Sequence, residues 1–115
     1  MNANELTTDR LVLRPFKASD AMDLYEYLSD PEVTSFEPYD PFTLDESRQE
    51  AEHRSKNPNF WAVCLKDSGK VIGNLYFEGQ DFETYEIGFV FNRNYQKQGY
   101  ALESCKAMLE YAFRS

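Results

Sequence analysis

The second half of the chain changes its hydrophobic period, and this change constrains the fold more than any other feature. Phe60–Leu65 is a continuous apolar run, typical of a strand that is buried on both faces. The segments 71–77 and 85–91 are also strand-like, and short polar turns, the second over 79–83, separate the three segments. Residues 101–113 then place apolar side chains at helical spacing. We therefore expect an antiparallel three-stranded meander followed by a helix.

The first half of the chain predicts a short strand and two helices. Leu11–Leu13 is the strand, and Ser19 or Asp20 can cap the first helix. The predicted apolar face of that helix consists of Ala21, Leu24, Tyr25 and Leu28. Thr43 and Glu46 have the spacing of a capping box at the start of the second helix. The fold class is therefore an α/β mixture of the α+β type, with a mostly antiparallel sheet in a single domain of 115 residues.

Three details of the second half are informative. Gly73 interrupts a strand pattern, which indicates a bulge or a close approach of two backbones. One face of the next strand would carry Tyr85, Ile87, Phe89 and Phe91, and the other Glu86, Gly88 and Val90. The last helix would bury a stripe of Ala101, Cys105, Met108 and Ala112 and direct outward Glu103, Lys106 and Glu110.

The charge of the chain excludes one class of partner. The formal net charge is −8, and the segment 20–52 holds 11 acidic residues against Arg48 alone. A surface of this sign repels phosphate backbones, so we expect no nucleic-acid partner. The acidic segment is either a set of solvated helix faces or a field that attracts a cationic partner. No apolar run is long enough to cross a bilayer and no secretory start is present, so we expect a cytoplasmic protein with no membrane partner.

The two cysteines and the single histidine form no reactive or metal-binding pattern. Cys64 and Cys105 both lie among apolar residues, which predicts buried free thiols. His53 lies on a different, highly charged segment, so neither thiol has a neighbouring base. One histidine and two separated cysteines provide no ligand cluster, and we expect no metal.

The segment 95–101 follows a strand and opens a helix. The first turn of a helix has unpaired amides and a partial positive charge, which together bind phosphate. Gly99 permits close approach of an anion, Ala101 is small, and Lys97 adds a cation. No acidic residue lies between Arg93 and the helix. The pattern fits a phosphate-binding loop, and it also fits an ordinary strand-to-helix turn.

Three motifs together resemble one family. Gln96-x-x-Gly99-x-Ala101 is similar to the acyl-CoA pyrophosphate motif of the GNAT N-acetyltransferases. The segment 8–15, TDRLVLRP, resembles the opening of the RimJ/RimL-type branch, which includes ribosomal-protein-alanine acetyltransferases. The segment 85–89, YEIGF, resembles the fourth strand of that branch.

The resemblance implies a GNAT-like fold and acetyl-CoA as co-substrate. In that family the pantetheine arm binds the backbone of the fourth strand, and the pyrophosphate binds the loop amides. Carried over, the pantetheine contacts are Phe89, Val90 and Phe91. The pyrophosphate contacts centre on Gln96, Lys97, Gln98, Gly99, Tyr100, Ala101 and Leu102. The acceptor would be a primary amine that attacks the thioester directly in a ternary complex.

An attacking amine must first lose a proton, because it is mostly protonated at neutral pH. Glu86 is the candidate catalytic base, since it shares a strand face with Gly88, which leaves open space beside it. A glutamate in a salt bridge at the strand edge is the other interpretation. The acceptor would lie under the loop 36–42, where the acidic segment would attract a cationic amine, a peptide N-terminus or a polyamine.

The family fold continues beyond the last helix of this sequence with further strands and a helix. We therefore expect the C-terminal part of the fold to be missing and the fourth strand to be an exposed edge, which favours homodimer formation. Truncation, a partner chain that supplies the strands, and self-pairing are the three explanations. The alternative function is a catalytically inactive remnant that binds CoA weakly or serves as an assembly module.

Overall fold

The structure is a computed structural model that describes residues 5–35, 37–79 and 85–114. The strands are β1 (Leu6–Thr7), β2 (Leu11–Arg14), β3 (Phe60–Leu65), β4 (Val71–Gly79) and β5 (Tyr85–Phe91). The helices are α1 (Ala21–Leu28), α2 (Pro31–Thr34), α3 (Leu44–Ser55) and α4 (Tyr100–Arg114). Short 3₁₀ turns occupy Ala18–Asp20 and Arg93–Tyr95.

The described strands form one antiparallel sheet in the order β1-β2-β3-β4-β5. The predicted strand, helices and meander are confirmed. The structure also contains β1 and α2, which were not predicted because two and four residues are too few to show a hydrophobic period. The predicted turn 79–83 falls mostly outside the described residues. Among the described strands β5 pairs with β4 alone, so it is an edge of the sheet.

Alternating side chains of the strands build one core on each side of the sheet. Ala62 and Cys64 of β3 pack with α1 and α3, whereas Trp61 and Val63 pack toward α4. The alternation explains why β3 is apolar throughout, as predicted. In α1 the buried aromatic residue is Tyr27, and the predicted Tyr25 is only half-buried.

Gly73 makes both features predicted for it. The register shifts between Val63 and Cys64, opposite Gly73, which marks a bulge or irregularity in the ladder. A Cβ atom at Gly73 would lie 2.7 Å from the Phe91 ring and 2.7 Å from the Val90 carbonyl. The missing side chain therefore leaves room for the Phe91 ring, at the end of β5, to pack over β4 at Gly73.

A buried polar network attaches α1 and α3 to the sheet. Arg54 donates to Glu50 at 2.6 Å and to the Asn74 side chain at 3.0 Å, and the Tyr27 hydroxyl donates to the same Asn74 oxygen at 2.8 Å. Asp20 occupies the N-cap position of α1, as predicted, but its side chain makes no capping hydrogen bond there. It instead pairs with both terminal nitrogens of Arg14 at 2.9 Å.

The predicted inner stripe of α4 is confirmed at Met108, which is fully buried, and at Ala112, which is nearly so. Ala101 and Cys105 are only half-buried, so the predicted burial of the Cys105 thiol is only partial. Trp61 lies under the helix with its ring centroid 5.6 Å from that of Tyr111. The prediction for Glu103 was wrong, since this residue turns toward the strand end and bonds to Thr8 and Arg10. The flank of α4 exposes Leu102 at 75% and Phe113 at 77%.

Candidate functional site

A cavity of about 430 Å³ lies between the edge strand β5 and the start of α4. Eight of the residues predicted to contact acetyl-CoA line it: Phe89, Val90, Phe91, Gln96, Lys97, Gly99, Ala101 and Leu102. Gln98 and Tyr100 belong to the same loop but do not line the cavity. Val33, Glu37 and Tyr95 complete its wall. The sequence motif and the edge strand are therefore parts of one site, and the assignment to acetyl-CoA stays a prediction.

The pairing register decides which backbone groups of β5 face the cavity side. The Asn92 amide donates to a β4 carbonyl at 2.8 Å, which makes Phe91 part of a non-hydrogen-bonded pair. Because the two kinds of pair alternate, Val90 directs its amide and carbonyl to β4. Phe89 and Phe91 direct theirs to the open edge. Of the three residues predicted to bind pantetheine through the backbone, Val90 can contribute only its side chain.

Gln96 has a local partner for its side chain. Its amide nitrogen donates to the Phe91 carbonyl at 3.0 Å, on the open edge of β5. This bond ties the loop to the strand end and removes one acceptor from that edge. Gln96 therefore shapes the site. Among the described residues, the edge groups left without a partner are those of Phe89 and the amide of Phe91.

Two residues of the loop have a left-handed backbone conformation. Lys97 has φ 62° and Gly99 has φ 86°, and a residue with a side chain rarely adopts the first value. The Glu103 amide bonds to the Gly99 carbonyl at 3.0 Å and closes the first turn of α4. Within the described residues, no protein acceptor receives the amides of residues 97–102. These donors are available to an anion at the cavity.

The two loop residues outside the cavity are held from behind. The Gln98 side-chain amide donates to the Asn94 carbonyl at 2.9 Å. The Tyr100 ring lies under the Arg10 guanidinium, 4.2 Å from it. The predicted contacts of Gln98 and Tyr100 are consequently possible only through their amides.

A polar anchor fixes the start of the loop. Asn92 is buried, accepts from the Asn94 amide at 2.9 Å and donates to Glu26 at 2.6 Å. Hydrogen bonds from Lys70 and Asn92 lower the pKa of Glu26 against the opposing effect of burial. The loop is thus fastened to α1 as well as to the sheet.

The other end of the cavity is acidic and includes part of the predicted acceptor loop 36–42, although the sequence did not single out Glu37 within that loop. Glu37 lines the cavity and also a smaller one of about 260 Å³ with Tyr39 and Asp40. Burial raises the pKa of Tyr39 to about 12, so its hydroxyl remains protonated at neutral pH. Of the predicted acceptor loop, Phe36 lies outside the described residues. The sequence could have identified Glu37, because this residue places a carboxylate in a loop that is rich in proline and aromatic residues.

Glu86 lies in β5 with its backbone paired to Glu78. Gly88 is on the same strand face, and no described atom lies within 4 Å of the position that its Cβ atom would take. The open space predicted beside Gly88 is therefore present. The role of Glu86 as base stays a prediction.

Neither thiol belongs to the site. Cys64 and Cys105 are free cysteines, and burial raises the pKa of both, that of Cys64 to about 11. Both are therefore protonated at neutral pH and poor nucleophiles. In the part of the chain that the structure describes, no group of His, Cys, Asp or Glu could hold a metal ion. None of the described helices is long and apolar enough to span a membrane.

The sheet is antiparallel, and its edge strand lies beside a helix whose first amides can bind an anion. This is the arrangement of an acyl-CoA N-acyltransferase fold. The sequence confirms this class, because the model of the acetyltransferase (GNAT) domain matches residues 10–115. The chain belongs to the GNAT acetyltransferase family.

Relatives support the same conclusion. The chain is 40% identical over 111 residues to the uncharacterized N-acetyltransferase YnaD of Bacillus subtilis, covering 95% of this chain and 65% of that protein. It is 33% identical to the uncharacterized N-acetyltransferase p20 of Bacillus licheniformis, with 96% and 66% covered. The crystal structure of a GNAT-family acetyltransferase from Bacillus anthracis superposes with a TM-score of 0.87 at 32% identity, covering 96% and 66%. The chain thus spans about two thirds of the length of these relatives.

Proposed function

We propose that this protein transfers the acetyl group of acetyl-CoA to a primary amine, in the manner of the RimJ/RimL-type branch. The observation that carries the proposal is the junction of free loop amides with a free strand edge on one cavity. The amides of residues 97–102 suit a pyrophosphate, and the edge groups of Phe89 suit an amide-containing arm. Residues suited to both parts of CoA therefore lie in one continuous site.

The transfer itself is a direct displacement. The amine nitrogen bonds to the thioester carbonyl carbon, the carbon–sulfur bond breaks, and the sulfur leaves as a thiolate that is then protonated. Glu86 would receive the proton that the ammonium form loses before attack. Gly88 leaves space for the acceptor beside that strand face.

The acceptor is proposed to be cationic: a peptide N-terminus, a polyamine or another small amine. Glu37 is a carboxylate on the cavity wall, and Asp40 lies on the adjoining cavity. Both residues belong to the acidic segment 20–52. Such a field raises the local concentration of a cationic substrate and loses strength with added salt.

One assay tests the proposal. Thiol release from acetyl-CoA is measured with spermidine, with peptides that have free N-termini and with an anionic amine as the matched control, alongside the thermal shift caused by CoA. We expect turnover with cationic amines and a shift with CoA. A shift without turnover would support the inactive remnant. Absence of any shift would refute CoA binding at this cavity.

The base is tested by Glu86→Gln, with Glu78→Gln as the matched control at the paired register position. We expect Glu86→Gln to lower kcat by about 10²-fold and to remove the acid limb of the pH–rate profile. Glu78→Gln should retain both. Full turnover of Glu86→Gln at every pH would remove Glu86 as the base.

A further inference from the structure

Arg10 lies just before β2 and reaches the loop 96–99 from outside the cavity. Its terminal nitrogen donates to the Gln98 carbonyl at 3.1 Å, and its Nε donates to Glu103 at 2.8 Å. The guanidinium also lies over the Tyr100 ring. Arg10 therefore contacts three residues in and after the loop without lining the cavity.

The bond to the Gln98 carbonyl has a consequence for the next amide. In a trans peptide the carbonyl and the following N–H point in opposite directions, and the described chain has no cis peptide. With the Gln98 carbonyl turned to Arg10, the Gly99 amide turns away from it. Gly99 lines the cavity on that side. We propose that Arg10 is a positioning residue that holds the Gln98–Gly99 peptide with its amide directed into the cavity.

Glu103 would by itself oppose an anion at this helix start, because its carboxylate lies in the first turn of α4. Arg10 donates to it through Nε and through its backbone amide at 3.1 Å, and the Thr8 hydroxyl donates to the same carboxylate. These three donors fix the carboxylate on the outer side of the loop. Glu103 in turn fixes the guanidinium that holds Gln98.

The orientation of one amide matters for affinity, because a hydrogen bond to a charged acceptor contributes more to binding than a hydrogen bond between two neutral groups. The inference rests on the proposed binding of the CoA pyrophosphate. It goes beyond it by assigning the geometry of the loop to a residue about 90 positions away in the sequence.

The test compares two ligands on Arg10→Met. CoA carries the pyrophosphate, whereas pantetheine has the same arm without it. By calorimetric or NMR titration we expect Arg10→Met to weaken CoA binding by about 10-fold and pantetheine binding by less than about two-fold. Equal weakening of both ligands, or of neither, would overturn the inference. Arg48→Met, an exposed arginine of α3, is the matched control and should leave both affinities unchanged.

Two further variants separate orientation from charge. Arg10→Lys retains the charge without the guanidinium fork, and we expect it to bind CoA as weakly as Arg10→Met. The double variant Arg10→Met with Glu103→Gln removes the carboxylate that Arg10 neutralises, and we expect no recovery. Full affinity in either variant would show that charge alone acts, which overturns the inference.

Titration of the unmodified chain with CoA distinguishes failure of the proposed function from failure of the positioning role of Arg10. If that chain does not bind CoA, the proposed function fails and this inference fails with it. If it binds CoA and Arg10→Met binds equally well, only the positioning role fails.

Discussion

The two long helices that flank the sheet begin in different ways. At α3 the Thr43 hydroxyl accepts from the Glu46 amide at 3.1 Å, and the Glu46 carboxylate accepts from the Thr43 amide at 2.9 Å. At α4 the corresponding cap position is Gly99, which has no side chain and a left-handed backbone. At the start of α3 the amides of Glu46 and Thr43 therefore have partners close in the sequence, whereas among the described residues no acceptor receives the first amides of α4.

A helix start without a local cap must be held in place by contacts with other segments of the chain. The start of α4 depends on Arg10 and Glu103 on one side and on Glu26 through Asn92 on the other. A capped start such as that of α3 needs no such support. The loop thus combines unpaired donors with a fixed geometry, which is what an anion site requires.

The largest effect is expected when the α4 start is given a carboxylate. Gly99→Asp forces a side chain into a left-handed backbone with its Cβ atom 3.3 Å from a terminal nitrogen of Arg10. The added carboxylate then competes with the Gln98 carbonyl for Arg10 and brings a negative charge to the helix start. We expect CoA affinity to fall by at least about 100-fold, equivalent to about 2.7 kcal/mol. Gly69→Asp is the matched control, because Gly69 has φ 79° in a turn with open space around it. Unchanged CoA affinity in Gly99→Asp would contradict the assignment of the anion to this helix start.

The converse change removes the cap of α3. Thr43→Ala should lower the free energy of unfolding by about 1 kcal/mol, seen as a fall of about 4 °C in Tm. Thr43→Ser retains the hydroxyl and should recover most of the loss. CoA affinity should not change in either variant, and a parallel loss of affinity would show that the two helix starts are coupled.

Lys97 allows backbone strain and charge to be separated at the loop. Lys97→Gly relieves a left-handed residue and should stabilise the fold by up to about 1 kcal/mol. The loss of an exposed cation should weaken CoA binding only by about three-fold. Chemical denaturation and titration measure the two effects independently. Lower stability in Lys97→Gly would mean that the lysine side chain holds the loop.

The smallest effect concerns the support through Glu26. Its folded pKa lies below the unfolded value, so its contribution is present above that unfolded value and is lost as pH falls through the folded pKa. Glu26 is partly exposed, and we expect Glu26→Gln to cost about 0.5 kcal/mol at neutral pH. Denaturation of the two proteins across pH 3–7 should converge at the acid end. A constant difference would mean that packing of the side chain, not its charge, is responsible.

The same comparison explains what the sequence could predict. The capping box at Thr43 is local, as is the strand-to-helix start at Gly99, and both were predicted from residues within a few positions of one another. The bulge and close approach at Gly73 were predicted because a glycine inside a strand usually marks one of these two features. The bounds of β3 followed from its continuous apolar run, and the start of α3 followed from the capping box.

The parts that were missed depend on contacts between distant segments. Arg10 and Glu103 are 93 positions apart, so Glu103 was placed on the outer face of α4 by its helical spacing alone. Glu37 reaches the cavity only because α2 brings its loop against β5. Val90 could not be separated from Phe89 as a backbone donor without the pairing register. Long-range pairing decides each of these, and no local pattern encodes it.

The position of Trp61 beneath α4 has a practical consequence for studying the protein. It is the only tryptophan of the chain, it is 8% exposed, and it touches Tyr111 near the end of the helix that begins at the loop. Detachment of α4 would open the indole to water and move its fluorescence emission to longer wavelength. Light absorbed by Tyr111 would also cease to be transferred efficiently to the indole. The native chain therefore carries its own optical reporter of whether this helix is docked.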